Sequence, residues 1–126
     1  MPLSESDLQR AIISWAATKE RAYPELKWLF HPANGGKRDS REAQSLKQQG
    51  VRKGICDLYL DVARGGYHGW RCELKIGSGK PSAEQIEYLE FLTEQGYFAF
   101  WSNSFEQVKL YLVDYLEGRL VRGPNA

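Results

Sequence analysis

A chain of 126 residues, 42% hydrophobic and 26% charged, has the composition of one globular domain and can bury roughly two-thirds of its unfolded surface. No apolar run approaches the ~20 residues of a membrane span, MPLSESDLQR lacks the basic start and apolar core of a signal peptide, and two cysteines make neither a disulfide framework nor a structural zinc site; a cytoplasmic protein is expected. Net charge is +1, yet residues 37–53 carry +4 (Lys37, Arg38, Arg41, Lys47, Arg52 and Lys53 against Asp39 and Glu42) and the rest −3, a pattern that fits either a polyanion site or a solvated helix face.

SESDLQRAIISWAATKE reads as a first helix. Ser4 is its N-cap, and Leu8, Ile12, Trp15 and Ala16 form an apolar stripe. Glu5 falls on the phase of that stripe, so it is expected on the buried face; it also suits the positive end of the helix dipole. Leu26–Phe30 (LKWLF) reads as a strand and HPANGGKRD as a loop. Asp39 and Glu42 form a capping-box pattern for a helix through Gln49, with Gly50 at its end.

Two alternating runs follow. Asp57, Tyr59 and Asp61 alternate with Leu58, Leu60 and Val62; Arg71, Glu73 and Lys75 alternate with Trp70, Cys72, Leu74 and Ile76. After the GSGKP turn, Ser82 and Gln85 form a second capping box on a helix ending near Gly96, with Ile86, Leu89 and Leu92 as its core. YFAFW (97–101) is apolar throughout, as in a central buried strand. Ser104 and Gln107 open a last helix with Phe105, Val108, Leu112, Tyr115 and Leu116 on one face. The order α-β-α-β-β-α-β-α implies an α/β fold, a mixed sheet flanked by helices. Its core spans about residues 4–117, and 118–126 is expected to be a loose tail.

The hairpin carries the chemistry. If Asp57 faces Glu73, the midpoint is residue 65, inside an Arg-Gly-Gly turn, and Lys75 joins the same face two residues on. A small register error or a bulge would still leave the three groups together. Two carboxylates that close repel unless something positive lies between them. A hard divalent cation, Mg²⁺ or Mn²⁺, meets that need and activates water against a phosphodiester, with Lys75 near the developing charge. The alternative is a solvent-facing salt-bridge surface.

D-(x)n-E-x-K on a hairpin between helices resembles the PD-(D/E)XK nuclease superfamily. More narrowly NGGKR, GVRKGICDLYL, CELK, SAEQ and GYFAFW resemble the VRR-NUC (virus-type replication-repair nuclease) domain, from Glu5 to about Leu116, in the stand-alone form common in phages and prophages. The resemblance implies a restriction-endonuclease-like fold and a metal-dependent DNA endonuclease. Asp57, Glu73 and the Leu74 carbonyl would be metal ligands, Lys75 the catalytic lysine, and Glu5 and Gln85 further site residues; Gln85 can also serve only as a cap. Asn34, Gly35, Lys37, Arg38, Arg41, Arg52 and Lys53 would contact DNA, with Gly35-Gly36 admitting a phosphate to the backbone. A homodimer acting on branched DNA such as four-way junctions is implied.

The chain departs from the family pattern at Cys56, where proline is usual, and at Val51-Arg52-Lys53 in the VRR segment. By parity Cys56 and Cys72 are expected to face away from the acids as buried free thiols. A nuclease-fold protein that binds DNA without cutting is the alternative, against which stand the intact Asp57, Glu73 and Lys75. His31 and His68 are too few for a zinc or His-Asn-His site. GSGKP does not satisfy a nucleotide-binding phosphate loop.

Overall fold

The computed structural model describes residues 4–33 and 39–123. Helix α1 (Glu5–Thr18) begins where Ser4 Oγ accepts the Asp7 N–H at 3.0 Å, and it buries Leu8, Ile12 and Ala16. Pro24–Trp28 is a 3₁₀ turn, not the expected strand. Proline opens it with φ preset and no N–H left over. Leu26 inside it and Leu29 at its C-cap are buried, and a spacing of three matches the 3₁₀ period while a strand needs two. All that remains of the strand is one antiparallel bridge, Phe30 to Tyr59, with reciprocal bonds of 3.0 and 2.9 Å.

Helix α2 (Ser40–Gln48) is capped by Asp39, whose carboxylate accepts the Glu42 N–H at 2.8 Å, and none of its residues is buried. Strands β1 (Leu58–Leu60), β2 (Trp70–Leu74) and β3 (Phe98–Ser102) form the described sheet in that order, with β1 antiparallel and β3 parallel to β2. Leu58 faces Cys72 and Leu60 faces Trp70, the register centred on residue 65.

Helix α3 (Ala83–Glu94) connects β2 to β3 and starts with a complete Ser82/Gln85 capping box. It turns Leu89 and Leu92 inward, whereas Ile86, expected in the core, is 37% exposed. The inward stripe is Gln85, Tyr88, Leu89 and Leu92, and Ile86 falls beside it. Strand β3 is not central: β2 is, and all five of its residues are buried. The apolar run of β3 reflects two covered faces. Phe98 and Phe100 meet Tyr111 of α4 (Phe105–Leu116) edge-on at 5.7 and 4.9 Å. Ala99 and Trp101 pack beneath α3 with Cys56, Leu89 and Leu92.

The sheet therefore separates two cores. The larger joins α1, α4 and the Leu58, Leu60, Trp70, Cys72, Leu74 face; the smaller lies under α3. Tyr115 ties α4 to the hairpin by donating to the Val62 carbonyl at 2.7 Å. The tail is not loose as far as Arg122: Leu120 packs on the larger core, and the Arg122 N–H donates to Gly65 O at 2.8 Å. Among the described residues no helix is long and apolar enough to cross a membrane.

That docking needs Gly65. Its φ is +57°, and a Cβ there would collide with the Leu120 carbonyl oxygen. Gly65→Ala should cost about 1–3 kcal/mol, read as a lower urea midpoint at unchanged slope. An unchanged midpoint would mean that the tail contact contributes nothing.

Candidate active site

Four elements converge at the C-terminal end of β2. Glu73 is its fourth residue, and burial there is near complete, with 3% of the side chain exposed. This rules out the solvent-facing salt-bridge surface that the E-x-K spacing left open. Asp57 arrives from the residue before β1, where the ladder breaks. Its N–H donates to Cys72 O at 3.1 Å, and its carboxylate accepts the Leu74 N–H at 2.8 Å. Glu5 comes from the first residue of α1 and is half exposed, 47%, at the rim and not on the buried face. One carboxylate oxygen from each of Glu5, Asp57 and Glu73 lies within 4.8 Å of the others.

Two further groups fix Glu73. Lys75 Nζ stands 3.7 Å from Glu73 Oε2 and 4.0 Å from Glu5 Oε2, with 13% of its side chain exposed. Gln85 uses both ends of its amide. Its oxygen accepts the Ser82 N–H at 2.8 Å, completing the capping box, and its nitrogen donates to Glu73 Oε2 at 2.9 Å. The cap and the site contact therefore occur together, and the helix start aims the amide at the carboxylate.

Glu73 Oε1 is left buried with no hydrogen-bond partner among the described residues. An orphaned carboxylate oxygen at such depth is expensive unless a cation or a proton meets it. Burial first, and then the neighbouring Asp57 carboxylate, push the Glu73 carboxyl up to about 8, opposed by Lys75. A divalent ion fits this donor set. All three groups are hard oxygens, which favours Mg²⁺ or Mn²⁺ over softer metals without choosing between them.

The sequence reading missed three features. Arg71, on the same side of β2 as Glu73, is buried with its guanidinium 4.3 Å from the Tyr59 ring centroid and 4.8 Å from that of Tyr97, and it pairs with Asp61 at 2.9 Å. Strict alternation in the sequence suggested solvent for that side. Lys80 lies 5.4 Å over Trp101, the β3 neighbour of Glu73, and nothing in GSGKP signals this. His31 Nδ1 is 2.7 Å from the Asp57 carbonyl oxygen, a contact across twenty-six positions in sequence that no local pattern encodes.

Cys72 faces the larger core as expected, but Cys56 packs under α3, on the side of Glu73. The break in the ladder at Asp57 cancels the parity argument. Both thiols are free and buried, and burial pushes Cys56 up to about 12 and Cys72 well above its usual value; neither is a nucleophile.

Asn34, Gly35, Gly36, Lys37 and Arg38 lie outside the described residues. Arg41 is exposed on α2, and Lys53 is exposed in the following turn. Arg52 makes long contacts of 3.4 Å to the Lys47 and Val51 carbonyls. Gly54, at φ +82°, seats this turn against α3; a Cβ would come within 2.9 Å of Glu84, one residue before Gln85.

Metal-free protein should lose stability as pH rises because of Glu73. Its folded-state value, about 8, is above the ordinary 4.5, so between these limits the folded state holds a proton that the unfolded state has released. The slope is negative there, up to about 1.4 kcal/mol per pH unit from this group. Melting in EDTA at pH 6 and pH 8 should show a fall that Glu73→Gln flattens. Equal pH slopes in both proteins would contradict the shift.

No family model matches the chain, and no curated protein does. Among solved structures, a VRR_NUC domain protein is 30% identical to it, with a TM-score of 0.77 over 94% of this chain and 92% of the other. The chain belongs to the VRR-NUC domain family, within the PD-(D/E)XK nuclease superfamily.

Proposed function

We propose that the protein is a divalent-metal-dependent endonuclease that hydrolyses phosphodiester bonds in DNA. The observation that carries this reading is the buried, partnerless Glu73 Oε1 inside a three-carboxylate cluster with Lys75 at its edge. Against a non-catalytic DNA-binding protein stands the clustering of Glu5, Asp57 and Glu73 with Lys75, which phosphate binding by charge does not call for.

In this reading Asp57 and Glu73 would hold the ion, with the Leu74 carbonyl as a third ligand. When bound, Mg²⁺ or Mn²⁺ would supply positive charge toward phosphoryl oxygens and ease deprotonation of a water. Gln85 occupies Glu73 Oε2, which leaves Oε1 for the ion. Lys75 places an ammonium where negative charge develops on the phosphorus oxygens and orients the attacking water. Glu5, 4.0 Å from that ammonium, restricts where Lys75 points. Arg41, Arg52 and Lys53, with Asn34, Gly35, Lys37 and Arg38, take the DNA backbone, the basic side chains by charge. Branched DNA, with the four-way junction as its symmetric case, is the proposed substrate. A homodimer with two sites suits two scissile strands related by a two-fold axis.

The test is cleavage of labelled single-stranded, duplex, flap and four-way-junction DNA with Mg²⁺ or Mn²⁺. Cutting should vanish with EDTA and fall at least about 100-fold in Lys75→Ala, while the variant still binds Mn²⁺. Binding without cutting in either metal would move the assignment to a non-catalytic DNA-binding protein. Separately, Arg52→Ala should weaken binding alike for all sequences and lower the salt slope by about one. An unchanged slope would remove Arg52 from the contact surface.

A further inference from the structure

Asp57 lies one residue before β1, so the ladder does not hold its backbone on both sides. Each of its polar groups is nevertheless tied: the N–H to Cys72 O, the carboxylate to the Leu74 N–H, and the carbonyl to the His31 ring. The Phe30–Tyr59 bridge brings His31 alongside. A carbonyl oxygen only accepts, so at 2.7 Å His31 Nδ1 is the donor, which fixes the ring's tautomer in its neutral form. His31 is not itself part of the ligand-atom cluster, which holds Glu5, Asp57 and Glu73.

We infer that His31 is a positioning residue for the metal centre, acting through Nδ1 on the Asp57 carbonyl. The ring sets the rotation of the residue whose carboxylate must meet both the Leu74 N–H and the ion. Groups that hold a metal ligand in this way commonly change metal affinity or activity by about 10–100-fold when removed. The residue is exposed, so its loss need not open a cavity in the core. This inference rests on the metal-dependent reading above.

The test compares His31→Ala, His31→Asn and His31→Gln. Asparagine puts an amide nitrogen where Nδ1 stands; glutamine puts one where Nε2 stands. Mn²⁺ affinity by calorimetry is read first, then cleavage as kcat and KM, with melting curves to confirm folding. The expected result is Mn²⁺ binding weakened about 10-fold or more in the Ala and Gln variants, with kcat lowered more than KM is raised, and both restored in Asn. Wild-type Mn²⁺ affinity in all three variants would overturn it. So would retention in Gln with loss in Asn, which would assign the work to Nε2, and so would loss in all three with the fold intact. Absence of Mn²⁺ binding and cutting in the wild type would instead overturn the nuclease reading itself.

Discussion

A carboxylate buried against two others is the constraint that the rest of this structure serves. Glu73 is buried, and removal from water alone disfavours its charge by far more than one surface ion pair returns. Lys75, Gln85 and the N–H that holds Asp57 offset part of that cost, and one oxygen remains without a partner. A carboxylate oxygen at that depth is relieved by a proton or by a cation. The α1 start, the break before β1, the end of β2 and the α3 cap are all bent to one point for that reason.

The surroundings explain how the point is held. Trp70, Cys72 and Leu74 anchor the apolar side of β2 in a core with α1 and α4, where Tyr67, Phe98, Phe100, Tyr111 and Tyr115 interlock at ring distances of 4.9–6.2 Å. The opposite side carries Arg71 between two tyrosine rings and then Glu73. Strand β3 continues past the acids: the Lys75 N–H donates to Ser102 O at 3.0 Å. The lysine backbone is thus fixed by the sheet while its ammonium reaches the acids. A site built on strand ends and a helix cap is already ordered before any ligand arrives.

What was legible in the sequence was local or periodic. Ser4, Asp39, Ser82 and Ser104 cap where their spacing said they would, since each bond spans three residues. The hairpin register followed from one glycine turn and a parity rule, and it brought Asp57, Glu73 and Lys75 together. The failures were tertiary. Leu26–Phe30 looks like a strand by composition, but Pro24 and the Leu26/Leu29 spacing wind it into 3₁₀. YFAFW is as apolar as a central strand because helices cover both faces, and composition cannot tell that from a middle position. Parity misplaced Cys56 because the ladder breaks at Asp57, one residue away. His31 was weighed only for a zinc or His-Asn-His site, although its partner is a backbone carbonyl, which leaves no mark in sequence.

In the proposed function the Glu73 Oε1 oxygen and Asp57 share one hard cation. Crystals grown with Mn²⁺ and measured for anomalous scattering test it directly. One peak per chain is expected, in ligand contact with Asp57 and Glu73 Oε1 and lost in Glu73→Gln. No peak at saturating Mn²⁺, or a peak that survives the substitution, would contradict it.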